Sequence, residues 1–538
     1  MENLLDLNRC PFPSRRSPVL SANGVVATSQ PLAAQAGLSV LQKGGNAVDA
    51  ALATAMALTV LEPTSNGIGS DAFALIWDGK QLHGLNASGR WPAANSAQAM
   101  RDAGHARMPS IGWPTVTVPG CVSLWSDLSE RFGTLEAAQL LEPAIGFGRD
   151  GFPVSPVISQ LWARAQPNFA PHLAAEIAGW TETFTRAGQV PGAGDMWRSP
   201  GHARCLQGLA DRGFGDFYTG EIAAAIVEYA AATGGVMSAQ DLAEHRNEWV
   251  EPISARYGDV DVWQIPPNGQ GIAALQALAI LDGLPARDRP PLDEQRLHLQ
   301  IEAMKLGFGD AYTYVADPQV VDVPTQGMLD ADYLDARRAL IGEQARMPDA
   351  GSPPKGGTVY LCAADRNGMM VSLIQSNYHG FGSGVVVPEY GLALQNRGSG
   401  FELHAGHLNE AAPGKRPRHT IIPGFLTRDG EALGPFGVMG GEIQPQGHLQ
   451  VVAAMEDHAM NPQAALDMPR WKWTEGQSVE FEPGTDPALI AALRARGHDA
   501  TVMNDSLSFG RGQIIRRLAS GAYAAGSEPR TDGAAVGY

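Results

Sequence analysis

Positive charge is scarce in this chain. Lys and Arg number 39 against 56 Asp and Glu, a formal net charge of −17, with the acidic residues spread along the chain rather than gathered in blocks. Neither nucleic acid nor an anionic membrane attracts such a surface, which argues against both as partners. Cysteine is scarcer still. Cys10, Cys121, Cys205 and Cys362 show no C-x-x-C spacing and no histidine clustering, so free thiols in a reducing compartment are expected, not a disulfide framework or a metal site. No run approaches 18 consecutive apolar residues, so no membrane-spanning helix is expected. Met1 to Pro11 carries early acidic residues and no apolar core of signal-peptide length, and the expected compartment is the cytoplasm. Repeats, heptads and low-complexity tracts are missing. So is a phosphate loop, because the glycines of Gly380-Phe-Gly-Ser-Gly384 have no Lys-Ser/Thr after them.

What remains is ordinary globular composition, 44% apolar and 18% charged, with 63 Gly and 38 Pro pointing to many tight loops. A strand is expected over Val25 to Ser29, a helix from Pro31 to Gln42 ended by Gly44-Gly45, and a second, alanine-rich helix capped by Asn46 and running to about Leu61. Strands follow at Ala72–Trp77 and Leu82–Ala87. Helices followed by hairpins predict helices layered on an antiparallel sheet. The middle, roughly Gly120 to Gln300, reads as mainly helical, and Ala316 to Pro354 as an exposed, proline- and charge-rich segment.

The chain is organised around Pro353-Pro-Lys-Gly-Gly-Thr358-Val-Tyr-Leu-Cys-Ala-Ala364. Prolines and glycines run directly into a β-rich segment, Asp365-Arg-Asn-Gly368 is a turn, and Met369 to Ser376 is the returning strand of a hairpin. If the bond between Gly357 and Thr358 is cut, Thr358 becomes an N-terminus whose own α-amine can serve as base for its Oγ. With an ordinary pKa of roughly 7.7–8.0, that amine suits the task. A strand-initial threonine alone is weak evidence, since β-branched residues are at home there.

The longer string is more specific. Thr358-Val-Tyr-Leu-Cys-Ala-Ala-Asp-Arg-Asn-Gly368, Gly380-Phe-Gly-Ser-Gly384 and Leu394-Gln-Asn-Arg397 resemble the small-subunit start of the γ-glutamyltransferase (glutathione hydrolase) family, which are self-cleaving N-terminal-nucleophile hydrolases. Gly44-Gly-Asn-Ala-Val-Asp-Ala-Ala51, Gly67-Ile-Gly-Ser-Asp-Ala-Phe73, Pro266-Pro-Asn-Gly-Gln-Gly271 and Met439-Gly-Gly441 extend the resemblance, in order, over nearly the whole chain. The resemblance implies an α+β fold, a four-layer αββα sandwich. It also implies a large subunit, 1–357, and a small subunit, 358–538, held together as one intertwined domain, with further dimerisation left open. It implies cleavage between Gly357 and Thr358, Thr358 as nucleophile, Ser376 as the assisting hydroxyl and Gly440-Gly441 as the oxyanion hole. No metal or organic cofactor is called for. Arg90 resembles the arginine that holds the substrate α-carboxylate, and His419-Thr420 falls where relatives place two serines facing that group.

One departure bears on specificity. Where the family carries the aspartate that grips the substrate α-ammonium, this chain has Gly400, and Arg397 stands where a neutral amide is usual. Ser399, Tyr378 or Glu402 are the neighbours able to replace the missing acid. Lys415 and Arg416 read as a solvated basic loop. The expected function is a small-molecule amide hydrolase acting on γ-glutamyl amides such as glutathione. The alternatives are an acylase for carboxylate-bearing amides without the α-amine (glutaryl- or oxamate-type), or an uncleaved carboxylate-binding homologue.

Overall fold

The computed structural model describes residues 16–169, 175–348 and 357–538, with backbone only over 357–359. Cys10, the Pro353 to Gly356 lead-in and the Thr358 side chain therefore lie outside the described residues.

Two early helices show how local signals set the first layer. Gln30 caps Pro31–Gln42 by accepting from the N–H groups of Leu32 and Ala33, with Pro31 at the position where a missing N–H costs nothing. Asn46 and Asp49 form a reciprocal capping box for Ala47–Leu61. All fifteen residues of this second helix are buried. Its alanines let neighbours approach closely: a Cβ on Gly37 would lie 2.2 Å from Thr54 Oγ1.

Every strand pairing in the two large sheets is antiparallel. The first sheet runs in the order Ala534–Gly537, Gly24–Thr28, Gly357–Asp365, Met370–Tyr378, Asp71–Trp77, Leu82–Ala87, Glu248–Val250. The second runs Val19–Ser21, Tyr523–Ser527, Arg511–Arg517, Glu431–Met439, Gly424–Arg428, Val260–Gln264, Ile253–Tyr257. Side chains alternate faces along a strand. Gln375 therefore points to the alanine-rich helix, donating to the Ala55 carbonyl at 2.8 Å. Tyr360 points the other way, onto Gly437 of the second sheet, where a Cβ would meet its ring at 2.6 Å. Trp77 and Phe425 stack across the same seam. Helices Gly271–Asp282, Glu294–Tyr314 and Ile443–His458 form a second apolar cluster with Val262, Leu426 and Phe436 of the second sheet.

Two expectations need correcting. The stretch from Gly120 to Gln300 is mostly helical, but Ile253–Tyr257 and Val260–Gln264 within it are strands at one edge of the second sheet. Lys415 and Arg416 are buried, not solvated. Lys415 Nζ donates to the carbonyls of Leu408 and Glu410 at 2.6 and 2.9 Å, and Arg416 donates to Ser88 O and Glu248, so each cation is satisfied inside.

Candidate active site

The start of strand Gly357–Asp365 is the centre of the site. Gly357 pairs with Tyr378 and Val359 with Gln375, so Ser376 and Asn377 together face the single residue Thr358 across a bulge. On the next strand Asp71 is the register partner of Ser376. The bulge also turns Tyr378 into the left-handed region, φ 74°, uncommon for an aromatic. Its N–H donates to Ser376 Oγ at 2.8 Å, holding that hydroxyl at the strand start. The hairpin thus brings Ser376 opposite Thr358, as its spacing predicted.

Gly440-Gly441 closes a second side. These residues follow strand Glu431–Met439 and precede helix Ile443–His458, with φ 134° and 70°, values glycine adopts freely. The helix N-terminus adds its positive end to the N–H groups there. Gln270 Nε2 donates to both Thr420 O, at 2.9 Å, and Gly441 O, at 3.2 Å, tying the glycines to the His419-Thr420 segment.

Arg397 closes the third side. It lies in the short turn Arg397–Gly400, fully buried, with its guanidinium 4.1 Å from the centroid of the Tyr378 ring. Nη1 donates to Thr420 Oγ1 at 2.8 Å, while Nε and Nη2 have no hydrogen-bond partner among the described residues. A buried guanidinium with two unused donors is costly unless something fills them. Burial pulls its pKa down to about 10, opposed chiefly by Asp71, and it stays charged. Asp71, also fully buried, is pushed up to about 7 by burial, partly offset by Arg397. Its Oδ2 meets His419 Nε2 at 3.1 Å, and Oδ1 accepts from the N–H groups of Gly89 and Gly120 at 3.4 and 3.3 Å. Burial and the nearby guanidiniums of Arg397, Arg416 and Arg418 keep His419 neutral. Arg418 pairs with Glu442 at 3.3 Å, and Tyr312 donates to the same carboxylate.

Among the described residues Arg90 makes no hydrogen bond or ion pair with Arg397, Asp71 or His419. Its guanidinium, a third exposed, contacts Asp317 at 3.3 Å, Gly414 O at 2.9 Å, Gln319 and Glu248. Gly400 brings no acid, and a Cβ there would sit 3.0 Å from Arg418 O. Of the residues able to replace the acid, Ser399 Oγ is spent on Asn396 O, Glu402 is exposed, and the buried Tyr378 hydroxyl has no partner among the described residues. Beside the cluster a cleft of about 440 Å³ is lined by Ser110, Ile111, Phe169, His379, Gly382 and Asn396. Sequence reasoning missed Asp71, Gln270 and Glu442 as site residues, although Asp71 lies in the Gly67–Phe73 motif and Gln270 in the Pro266–Gly271 motif. Among the described residues, His298, Glu302 and His498 are close enough to hold a metal ion, yet Lys305 Nζ already sits 2.7 Å from Glu302 as the resident cation. Cys121, Cys205 and Cys362 are buried free thiols.

Two helix-backed antiparallel sheets with a threonine entering a central strand define an N-terminal-nucleophile hydrolase framework. Within that superfamily the chain belongs to the γ-glutamyltranspeptidase family, whose model matches residues 33–538. A crystal structure of a cephalosporin acylase from Bacillus halodurans is 49% identical, with a TM-score of 0.96 and coverage of 100% of this chain and 99% of that one. The glutathione hydrolase-like YwrD proenzyme of Bacillus subtilis (strain 168) is 34% identical over 96% of this chain and 99% of its own. The oxamate amidohydrolase proenzyme of Klebsiella pneumoniae is likewise 34% identical, with the same coverages. Among the described residues no helix is long and apolar enough to cross a membrane.

Proposed function

We propose that this protein is a self-cleaving amidohydrolase that removes an acyl group ending in a carboxylate and lacking an α-ammonium. The proposal includes the four-layer αββα arrangement and maturation into fragments 1–357 and 358–538. In maturation Thr358 Oγ attacks the Gly357 carbonyl, the acyl group shifts from nitrogen to oxygen, and water hydrolyses the ester to leave a Gly357 carboxylate and a Thr358 amine. In turnover that amine takes the Oγ proton as Oγ attacks the substrate amide. Gly440 and Gly441 N–H groups receive the oxyanion, and the Ser376 hydroxyl supports the nucleophile. The leaving amine departs with the proton, and water then cleaves the acyl-threonine ester.

The observation that carries the substrate class is Arg397: buried, charged, and holding two unused donors beside the strand that begins with Thr358. A planar carboxylate fits that fork bidentately. An α-ammonium finds no matching acid, since Glu442 is taken by Arg418 and both Asp71 oxygens are occupied. Relatives named as a cephalosporin acylase and an oxamate amidohydrolase support this reading, alongside a glutathione hydrolase-like relative of equal identity to the latter. The test compares kcat/KM for glutaryl- and γ-glutamyl-p-nitroanilide on the purified protein. Equal rates or a glutaryl preference are expected. A γ-glutamyl preference above about a hundredfold, on the order of 2.7 kcal/mol, overturns the substrate class.

A further inference from the structure

We propose that a carboxylate enters the Arg397 site together with a proton, and that Asp71 receives it. The inference rests on the reading just given, that Arg397 takes the acyl carboxylate. Asp71 is the largest attracting charge on Arg397, yet no hydrogen bond joins the two. The aspartate instead occupies the register position beside Ser376, facing His419 and two backbone N–H groups. Those N–H contacts, at 3.4 and 3.3 Å, are longer than the usual backbone N–H to oxygen distance of about 2.9–3.0 Å. The site therefore accommodates the neutral acid as well as the anion.

The groups around Asp71 decide where the proton goes. Arg397 and, more weakly, Arg416 favour its anion. Cys121 from helix Cys121–Phe132 and Tyr218 from Asp216–Thr219 also feel its charge, and burial raises both well above their usual range, so they stay neutral. His419 is held neutral by burial and by three guanidiniums, so it is a poor proton acceptor. Glu442 is committed to Arg418 and Tyr312. Among these groups Asp71 is the one left to adjust, and Asp71→Asn tells it from the Thr358 amine of the processed chain, which also titrates near pH 8 at roughly 7.7–8.0. A ligand carboxylate on Nε and Nη2 of Arg397 supplies a second anion to one buried cation, and two carboxylates sharing such a site do not both stay ionised. With Asp71 already near neutrality in the empty site, the bound carboxylate raises it further, and binding takes up a proton above about pH 7.

The sign follows directly. The complex binds more protons than the free protein, so affinity is full at low pH and weakens as pH rises past the free-protein value, at most about tenfold per unit. The experiment is calorimetric titration of the processed protein with glutarate at about pH 8, in phosphate and in Tris, whose ionisation enthalpies differ. Uptake of about one proton is expected, with affinity falling between about pH 7 and 8.5. Asp71→Asn should abolish the uptake, make affinity independent of pH, and bind glutarate more tightly than wild type at pH 8. If that variant fails to fold, the proton count and pH slope of the uncut Thr358→Ala chain, which has no Thr358 amine, decide. Wild type binding glutarate without buffer-dependent heat overturns this inference alone, provided Arg397→Met weakens binding. Arg397→Met binding glutarate as tightly as wild type, or wild type not binding it at all, overturns the carboxylate site itself.

Discussion

Replacing Arg397 by methionine is the sharpest perturbation of this site. The side chain keeps comparable length and apolar contact with the Tyr378 ring but loses the charge and every donor. The two unused donors, Nε and Nη2, would each make a charge-assisted hydrogen bond to the substrate carboxylate, worth about 1.5–3 kcal/mol apiece. Such paired contacts are not additive, and a loss of about 3 kcal/mol is the working figure, roughly 150-fold in kcat/KM. The assay is a matched pair of anilides, glutaryl and butyryl, which differ only in the terminal carboxylate. The glutaryl substrate should fall by about two orders of magnitude while the butyryl substrate stays within about threefold. The free variant also sheds two buried unsatisfied donors, so its folding should not collapse, and circular dichroism checks this. Equal losses on both substrates would refute the reasoning, because Arg397 would then be holding the site together and not reading the acyl chain.

Other consequences are open to direct measurement. Purified protein should separate by mass into fragments 1–357 and 358–538, whereas Thr358→Ala should remain a single inactive chain; an intact wild-type chain that turns over substrate would end the proposal of an N-terminal nucleophile. Arg90→Ala, which breaks its pairs with Asp317 and Glu248, should cost about 0.5–1 kcal/mol in denaturant unfolding and change kcat/KM for glutaryl and butyryl anilides alike, and a loss confined to the carboxylated substrate would restore Arg90 as its partner. Gly37→Ala drives a methyl into Thr54 Oγ1 and to within 2.9 Å of Ala50 O, and should cost about 1–3 kcal/mol in denaturant unfolding; no loss would mean the two helices can part easily.

The sequence was readable where structure is decided locally. The helices at Pro31–Gln42 and Ala47–Leu61 begin and end at caps visible within a few residues, and the hairpin from Gly357 to Tyr378 is announced by its own turn. The strand Val260–Gln264 has one partner, Gly424–Arg428, about 160 residues further on, and its other, Ile253–Tyr257, lies just across the Gly258-Asp259 turn, a local hairpin the sequence reading passed over. Arg416 reads as a surface cation until Ser88 O, Glu248 and the Asp317 carboxylate are known to converge on it. The same applies at the site. Thr358, Asp71 and Gly440-Gly441 sit in motifs, but that Asp71 and His419, 348 residues apart, form a pair shows only in the folded chain.

The strand order has a consequence for the life of the protein after a cut at residue 357. Both sheets alternate material from either side of that bond: Gly24–Thr28 lies between Ala534–Gly537 and Gly357–Asp365, and Val19–Ser21 and Val260–Gln264 flank strands drawn from beyond residue 423. The pieces cannot slide apart as two folded bodies; separating them means unzipping both sheets. An uncut chain that melts needs only itself to refold, but a cut one must find its counterpart in solution, so its recovery from denaturant should become dependent on concentration. Maturation would thus convert a fold that one chain recovers alone into one whose recovery needs two pieces to meet.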